Sequence, residues 1–433
     1  MLGAGLVRQA CCGRDRHASI RNKILMNPSD IVITGLGVIC AFGPDRQAFL
    51  SGLRRGQTAI RTLTRFDATG CRSDLVGQAP DPVFPASFAL PAQASRPDAF
   101  GLCAALAAVA DAGLSAAALH KAAVSFGTGV GGAEQTESYL RTLQHEDGRP
   151  PPPASLLVAH QPASVTDLLT RVLDSHGPRA TYMTACSSSA LSISQGRDLI
   201  LLGQADVAIC GGAEGLCPLT TAGFSALRAT SPELCRPFDR DRKGLNLGEG
   251  AAVLILESGE HARRRGARVY ARLIGAGLSC DAYHMTAPQP QGEGALLAMR
   301  AACRDAGIAV DAIEYINAHG TGTPHNDAAE SAAMRSLLGE RVSKVPVSSI
   351  KSLVGHTLGA AGAIEAVASV LSIVYGLLPP TAQLTVPDPA FHVEGAPDFD
   401  FIQSVTRSQR CDVVLSNSFA FGGNNAALLF ASA

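Results

Sequence analysis

The sequence predicts an α/β protein with a duplicated core. Four apolar, β-prone segments end in glycines or small polar residues, and alanine-rich helical patterns lie between them. The strand-like segments are 31–37, 122–129, 206–212 and 412–416, and two clear helical patterns are 100–112 and 363–375. Strands that alternate with helices in this way are typical of an α/β fold.

Two segments, 204–212 and 410–418, resemble each other, which indicates an internal duplication. Each follows a long helical pattern that begins close to a candidate catalytic residue, Cys186 in one and His356 in the other. We therefore predict two halves, residues 27–275 and 276–433. Strand-like sequence starts only at residue 31, so residues 1–26 are predicted to be a disordered extension or an artefact of the assigned start; an arginine-rich transit peptide is the open alternative.

The composition is that of a large globular protein without a general attraction to polyanions. Of 433 residues, 46% are hydrophobic and 17% charged, and 36 Lys and Arg balance 37 Asp and Glu. We therefore predict no nucleic-acid or membrane partner. The twelve cysteines are scattered without a C-x-x-C pair, which favours a reducing, cytoplasmic location. The apolar stretch 366–380 is too short to span a bilayer and is predicted to be a buried helix.

Cys186 lies where a β-prone run, 180–184, gives way to a helical pattern. The first turn of a helix offers unpaired N–H groups and the positive end of the macrodipole, and both favour thiolate over thiol. Free cysteine is also among the most buried residue types, so Cys186 taken alone is better explained as a core residue. Two histidines and a lysine elsewhere in the chain favour the catalytic interpretation.

These residues lie in two further motifs. His319 begins a His-Gly-Thr-Gly-Thr run after the strand-like segment 313–316, a setting that suits either a polar ligand or a simple hydrogen-bonded turn. Lys351 and His356 stand together ahead of the predicted buried helix, where an unpaired lysine would be costly. We expect Glu330 to be its counter-charge.

Two other kinds of site are weighed and rejected. The string Gly127 to Gly132 fits G-x-G-x-x-G, but no acidic residue ends a following strand at the distance expected of a dinucleotide site. The eleven histidines show neither H-E-x-x-H nor paired Cys/His spacing, so no metal site is predicted.

Taken together, the motifs resemble those of the β-ketoacyl-acyl-carrier-protein synthases, the condensing enzymes of fatty-acid and type II polyketide synthesis. The matching segments are 184–188, 317–324, 351–356 and 417–425, with further agreement at 235–239, 248–251 and 279–286. They run in the expected order from about residue 31 to the C-terminus, which makes the resemblance specific. It implies the thiolase fold, a duplicated five-layer α/β/α/β/α sandwich.

The resemblance also implies a role for each catalytic residue. Cys186 would carry an acyl chain as a thioester, and His319 and His356 would stabilise the enolate that forms as carbon dioxide leaves malonyl thioester. The backbone N–H groups of Cys186 and Phe421 would hold the oxyanion. Lys351 would set the electrostatics of the site with Glu330.

The remaining site residues concern the substrate. No cofactor is expected to be bound permanently, because phosphopantetheine arrives on the acyl carrier protein. Its arm would lie against Thr321 and Thr323, with Thr286 and a structural His284 beside them. Val130 would line the acyl pocket, and the ring of Phe421 would act as a gate.

Several positions differ from the usual pattern of the family. Ala420 replaces a glycine and Asn424 a frequent threonine, so the gate is expected to be stiffer or differently shaped. The segment 95–99 has few basic residues, and Arg228 is left open between a carrier contact and an ordinary solvated arginine. The segment 325–327 is similar to the corresponding segment of synthases of polyene pigments. The pathway and the length and saturation of the acyl chain are therefore left open.

The predicted function is decarboxylative condensation of an acyl thioester with malonyl-acyl-carrier protein. The alternatives are a non-catalytic chain-length-determining subunit, in which the nucleophile is typically lost, and a coenzyme A thiolase, which would need a second cysteine in a glycine-rich setting that Cys411 lacks. The expected partners are an acyl carrier protein and a second subunit, either an identical chain or a chain-length-factor homologue.

Overall fold

The computed structural model describes residues 30–144, 150 and 153–433, so the predicted extension 1–26 lies outside the described residues. Within this part of the chain the strands are β1 Ile31–Ile39, β2 Arg61–Thr62, β3 Leu75–Gly77, β4 Ala123–Gly127, β5 Arg179–Tyr182, β6 Val207–Glu214, β7 Leu247–Gly248, β8 Gly250–Ser258, β9 Ala271–Cys280, β10 Tyr315–Asn317, β11 Val347–Ser348, β12 Leu377–Leu378, β13 Arg407–Ser408, β14 Val413–Phe419 and β15 Asn424–Ser432.

The α-helices in the same described residues are α1 Arg46–Arg55, α2 Arg96–Ala112, α3 Ala116–His120, α4 Ala133–Gln144, α5 Ser164–Val172, α6 Ser188–Leu201, α7 Pro218–Ala226, α8 Gly259–Arg264, α9 Glu293–Ala306, α10 Pro324–Leu338, α11 Lys351–Val354 and α12 Ala361–Tyr375. Short 3₁₀ turns precede α6 and α12, at Ala185–Ser187 and Leu358–Ala360.

The main sheet repeats one topology twice. Its ten strands run in the order β11-β10-β14-β15-β9-β1-β8-β6-β4-β5. The antiparallel pairing of β1 with β9, at Val32 with Arg272 and Ile33 with Ala271, forms the seam. Counted outward from the seam, five strands on each side follow the same chain order, which confirms the predicted duplication. The expected division between residues 275 and 276 falls inside β9, whose first residue is Ala271.

The two similar segments seen in the sequence occupy equivalent places. Segment 204–212 overlaps β6 and segment 410–418 overlaps β14, and each is the third strand from the seam. The helices before them, α6 and α12, are therefore equivalent as well. This equivalence places the starts of both helices, with Cys186 and His356, in corresponding positions of the two halves.

The layers follow from the helix contacts. In the middle, α6 packs on β4 and β6, α12 packs on β14 and β8, and the two helices contact each other. On the outside, α2 covers β1 and β8, and α9 covers β9 and β15. A Cβ atom on Gly37 of β1 would lie 1.9 Å from the Ala104 carbonyl oxygen of α2, so glycine allows this close approach. The result is the expected five-layer α/β/α/β/α sandwich.

Helix α12 confirms the predicted buried helix. The segment Leu358–Tyr375 is long and apolar enough to cross a membrane by length and composition, but 83% of it is buried inside the protein. The helix ends at Gly376, which takes the left-handed conformation (φ 59°), so the apolar residues Leu377 and Leu378 form β12 instead of extending the helix to residue 380 as the sequence pattern suggested.

Candidate active site

Cys186 lies in the turn that connects the edge strand β5 to the central helix α6. The turn is tight: Ala185 has a φ of 53°, which is uncommon for a residue with a side chain. The hydroxyl of Ser188 accepts from the backbone N–H of Thr184 at 2.9 Å and donates to the carbonyl of Ala185 at 2.6 Å. These bonds fix the thiol, which is only 5% exposed, at the bottom of a cavity.

Two histidines from the second half meet this thiol. The Nε2 atom of His356 lies 3.0 Å from Cys186 Sγ. The ring of His319, on the loop after β10, is 5.4 Å from the ring of His356 and nearly perpendicular to it. One ring nitrogen of each histidine and the sulfur all lie within 4.8 Å of one another. The structure therefore brings together the thiol and both imidazoles that the sequence motifs predicted.

Lys351 joins the site through His319. Its Nζ atom lies 3.1 Å from His319 Nδ1, donates to the His319 carbonyl at 2.6 Å, and forms a buried ion pair with Glu365. Because the lysine faces Nδ1, the proton of a neutral His319 ring belongs on Nε2. That nitrogen is therefore available as a hydrogen-bond donor.

The expected pairing of Lys351 with Glu330 is wrong. The carboxylate of Glu330 instead accepts the backbone N–H groups of His319 and Gly320, at 2.8 and 2.7 Å, and a side-chain N–H of Asn417 at 3.2 Å. Glu330 thus shapes the histidine loop, while Glu365 balances the lysine. The sequence contained one indication of this pairing, because Glu365 is the only charged residue of helix α12.

Burial decides the protonation states. It lowers the pKa of both His319 and His356 well below 6.5, and the charge of Lys351 lowers them further. It raises the pKa of the Cys186 thiol to about 12, although Lys351 and the Phe421 backbone N–H oppose the shift. The resting site therefore holds a neutral thiol and two neutral imidazoles. The prediction that the helix start favours a thiolate is wrong for this resting state, because desolvation outweighs it.

The tautomer of His356 is not fixed by a second hydrogen bond. Its Nδ1 atom is buried and has no partner among the residues that the structure describes. Its Nε2 atom faces the thiol at 3.0 Å. His356 is therefore placed to receive the thiol proton when the sulfur attacks.

Phe421 contributes both its backbone and its ring. The backbone N–H faces the Cys186 sulfur closely enough to lower the pKa of the thiol. The ring stacks on Phe224 with 5.6 Å between centroids and 17° between planes. Gly422 follows with a φ of 80°, a conformation that favours glycine. The N–H predicted to hold an oxyanion thus lies at the sulfur, and the predicted gate ring rests against an aromatic partner.

The cavity above the thiol has a volume of about 460 Å³. Besides Cys186, His319 and His356, the cavity is lined by Thr286, Thr321 and Thr323, and the hydroxyls of Thr321 and Thr323 lie 2.8 Å apart. The exposed side chain of Arg228 also lines it. Apolar side chains, among them Phe224, Leu245 and Phe419, line much of the rest of the cavity.

Two predicted site residues lie elsewhere. His284 is exposed, and its Nδ1 accepts the N–H groups of Thr286 and Ala287 at 3.1 and 3.2 Å, so it shapes the turn that carries Thr286. Val130 is not among the lining residues of this cavity; its N–H donates to Glu214 at 3.3 Å. The acyl-pocket role of Val130 stays a prediction.

Comparison with known proteins decides the family. Residues 28–262 match the model of the beta-ketoacyl synthase N-terminal domain, and residues 270–385 match the model of the C-terminal domain. The chain belongs to the β-ketoacyl synthase family. This confirms the resemblance inferred from the motifs and makes the chain a condensing acyltransferase.

The alignments with individual relatives extend over almost the whole length of the synthase. The 3-oxoacyl-[acyl-carrier-protein] synthase 2 of a Synechocystis species is 39% identical over 414 residues, 92% of this chain and 97% of the relative. The tetracenomycin polyketide synthase ketoacyl synthase alpha subunit of Streptomyces glaucescens is 38% identical over 419 residues, 93% of this chain and 96% of the relative.

Solved structures show the same fold. The ishigamide ketosynthase/chain length factor has a TM-score of 0.86 at 34% identity, and the match covers 93% of the synthase and 99% of that chain. A type II polyketide ketosynthase, solved in complex with its acyl-carrier protein and bound to the hexaketide, has a TM-score of 0.85 at 28% identity, covering 94% of the synthase and 100% of that chain.

The structure of the synthase adds one residue that sequence reasoning missed. Glu214 ends β6, is fully buried, and accepts three backbone N–H groups: Gly129 at 2.6 Å, Gly359 at 3.0 Å and Val130 at 3.3 Å. Burial raises its pKa to about 7, and these bonds oppose the shift. Because Gly359 belongs to the second half, Glu214 ties the glycine loop of the first half to the turn that follows His356.

This contact also explains the glycine string 127–132. A Cβ atom on Gly129 would lie 2.4 Å from Glu214 Oε2, so the close approach of the carboxylate needs glycine there. A glutamate directly after the Gly-Gly-Ala end of an apolar strand was the available sequence signal.

The thiol and the two imidazoles also have donor atoms of the kinds that bind metals. Cys186, His319 and His356 are close enough together to hold an ion. The Lys351 ammonium, 3.1 Å from His319 Nδ1, repels a cation at this position and attracts negative charge. The electrostatics of the synthase therefore favour a developing enolate over a metal ion.

Proposed function

We propose that the synthase joins an acyl group carried on Cys186 to malonyl-acyl-carrier protein, releasing carbon dioxide and a 3-oxoacyl-carrier two carbons longer. The observation that carries this proposal is the 3.0 Å contact between His356 Nε2 and Cys186 Sγ, beside His319 in one cavity. The activity requires a nucleophile and two hydrogen-bond donors that converge on one small volume, and the site has this arrangement.

In the first half-reaction the acyl chain moves to the enzyme. The Cys186 sulfur attacks the carbonyl of the acyl-carrier thioester while its proton passes to His356 Nε2. The N–H groups of Phe421 and Cys186 hold the tetrahedral oxyanion. The bond to the carrier sulfur then breaks, and that sulfur takes the proton from His356, which leaves acyl-Cys186, a free carrier thiol and a neutral imidazole.

In the second half-reaction a carbon–carbon bond forms. Before this step the His356 ring exchanges its Nδ1 proton for one on Nε2 through water, a change that no hydrogen bond from Nδ1 to the described residues opposes. Malonyl-carrier then binds with its thioester carbonyl against His319 Nε2–H and His356 Nε2–H. The bond to the malonyl carboxylate breaks, carbon dioxide leaves, and the electron pair passes into an enolate that both donors stabilise. The enolate carbon attacks the acyl carbonyl, the Cys186–acyl bond breaks, and the Cys186 thiolate takes a proton from water.

Lys351 contributes charge rather than a bond. It faces His319 Nδ1 at 3.1 Å and is held by Glu365, so its positive charge lies behind the imidazole that meets the enolate. In a buried site such a fixed charge acts strongly on negative charge that develops nearby.

An acyl carrier protein is the proposed substrate carrier. One solved relative is a complex of a ketosynthase with its acyl-carrier protein. The threonine-lined cavity suits a phosphopantetheine arm, which is polar and narrow. Arg228 is exposed at this cavity and carries a charge opposite to that of the phosphate. We propose it as a contact for the carrier or its phosphate.

A second subunit is proposed beside the edge strand β5. In the main sheet β5 pairs with β4 alone and stands at the end of the strand order, and Met183, directly after it, is 58% exposed. Unpaired strand edges next to apolar surface favour association. Two structural relatives are ketosynthases with chain length factors. The proposed second subunit is therefore a second copy of this chain or a chain-length-factor homologue. We propose that the synthase works in the cytoplasm, in fatty-acid, polyene or other type II polyketide synthesis.

The site disfavours the two alternative functions. A chain-length-determining subunit would not need Cys186, His319, Lys351 and His356 in contact. A thiolase would need a second thiol near the first, but Cys411 is buried just before β14 and does not line the cavity.

Intact-mass analysis tests the proposal. After incubation with acyl-carrier we expect one acyl adduct on Cys186, and on addition of malonyl-carrier the adduct should disappear as a 3-oxoacyl-carrier forms. The Cys186→Ala variant should take up no acyl group. No adduct on the folded wild-type chain would favour the non-catalytic subunit, and an adduct on the variant would show that the nucleophile is misassigned.

A further inference from the structure

Three exposed side chains form a second cluster outside the catalytic cavity. His120 ends α3, and Asp174 and His176 lie on the loop between α5 and β5. The Oδ2 atom of Asp174 lies 3.4 Å from His120 Nδ1, and its Oδ1 atom lies 3.1 Å from His176 Nε2. The two imidazole rings are 4.4 Å apart. One carboxylate thus stands between two imidazoles at the surface.

These distances match a metal site. A zinc ion bound tetrahedrally at about 2.0–2.1 Å holds neighbouring ligand atoms about 3.3 Å apart. The two nitrogen-to-oxygen distances in the cluster, 3.4 and 3.1 Å, involve different oxygens of Asp174, and each is close to this spacing, as expected if both oxygens face the ion. All three residues offer donor atoms within 4.8 Å of one another. An ion could therefore enter with only small side-chain movements.

The backbone already holds the two segments together. The N–H of His176 donates to the carbonyl of His120 at 2.9 Å, and the hydroxyl of Ser175 donates to the carbonyl of Ala122 at 2.7 Å. The ligands are thus held near their final positions before an ion arrives, which lowers the entropic cost of binding.

The charge of the cluster is also suitable. The Asp174 carboxylate is the acidic group that faces both imidazoles. Imidazole nitrogen together with carboxylate oxygen suits zinc and similar transition-metal ions, whereas magnesium prefers oxygen ligands alone.

We propose that His120, Asp174 and His176 form a surface site for a divalent transition-metal ion of the zinc type, with water completing the coordination. The site is separate from the condensation chemistry. Its direct effect would be to link α3 to the loop ahead of β5.

Equilibrium dialysis of the full chain against zinc chloride at neutral pH, with metal analysis of the protein, tests the site. Wild type is compared with His176→Ala and Asp174→Asn. The matched control is His392→Ala, because His392 is an exposed histidine paired at 2.8 Å with Asp398 but is not part of a three-ligand cluster. Any zinc held by Cys186, His319 and His356 is common to all four proteins and cancels in the comparison.

We expect His176→Ala and Asp174→Asn each to bind one zinc ion fewer than wild type and His392→Ala. Magnesium chloride should give no bound ion that depends on these residues. Circular dichroism and metal-free condensation activity should be unchanged in His176→Ala, which shows that the variant folds. Equal zinc content in wild type and His176→Ala would overturn the proposal and leave the cluster a hydrogen-bonded His–Asp–His surface network. An equal loss in His392→Ala would overturn it too.

Discussion

Lys351 is paired with Glu365, on the helix that follows His356, and not with Glu330 on α10. Both partners are almost fully buried, with side chains 1% and 2% exposed. The lysine that faces His319 is therefore neutralised from the central layer of the fold. The pair belongs to the core as well as to the site.

Removing the charge of Glu365 should destabilise the protein and impair condensation. Glu365→Gln leaves a buried ammonium without its counter-charge, which costs about 3–5 kcal/mol of unfolding free energy. Urea unfolding followed by circular dichroism measures the loss. The double variant Lys351→Met with Glu365→Leu should recover most of the stability without recovering condensation. Wild-type stability in Glu365→Gln would contradict the pairing.

The reactivity of Cys186 should rise late with pH. Because burial raises its pKa to about 12, little thiolate exists at pH 7, and the rate of alkylation by iodoacetamide should still be increasing at pH 9 to 10. Peptide mass spectrometry resolves Cys186 from the exposed Cys280, which serves as an internal reference. A plateau for Cys186 below pH 8 would instead indicate a thiolate in the resting site.

The two histidines should differ in acyl transfer. His319→Ala removes an enolate donor, and we expect condensation to fall about 10²–10³-fold while acylation of Cys186 is largely retained. His356→Ala removes both a donor and the acceptor of the thiol proton, so acylation should slow as well. Single-turnover acylation and condensation assays separate the steps. Equal acylation rates in the two variants would contradict the proton-acceptor role of His356.

Acid should weaken the fold through the same histidines. In the folded protein the pKa values of both histidines lie well below 6.5. Below pH 6.5 the unfolded chain therefore binds more protons at these histidines than the folded protein does, and the free energy of unfolding decreases as the pH falls. Glu214, Glu330 and Glu365, with pKa values raised to about 7, act in the opposite sense between pH 4.5 and 7. The difference between wild type and a His319→Ala, His356→Ala double variant isolates the histidine contribution: the variant should lose less stability between pH 6.5 and 5. A parallel loss would refute it.

Glu214 should affect the rate of acylation by positioning the turn that follows His356. Glu214→Gln replaces an acceptor oxygen with an N–H₂ group facing backbone donors, at a cost of about 1–3 kcal/mol. Because the lost contacts position the turn after His356, acylation should slow about tenfold. Glu249→Gln is the control, since Glu249 is equally buried but pairs with Arg65 and Arg96. A similar loss of stability in both variants without slower acylation in Glu214→Gln would make its role purely structural.

The sequence predicted most of the fold, because strand and helix periodicity and the two similar segments are local patterns. It also predicted the cysteine, lysine and two histidines that the structure brings together, because each lies in a short motif. The partner of Lys351 could not be read in the same way, since Glu330 and Glu365 are both compatible with the motif spacing and only the packing of α12 selects between them. The raised pKa of Cys186 depends on desolvation, which no spacing reveals. Glu214 was missed because its ligands come from both halves.

The short pairing between β1 and β9 affects how the protein loses activity under mildly denaturing conditions. The sulfur is anchored in one repeat and both imidazoles in the other, and a shift of about 1 Å between reacting groups can cost 10²-fold in rate. A chain whose repeats slipped slightly past each other would keep its helical signal yet stop turning over. The chain contains no tryptophan, so tryptophan fluorescence cannot detect such a shift. The condensation rate is therefore a sensitive measure of how the two repeats are aligned.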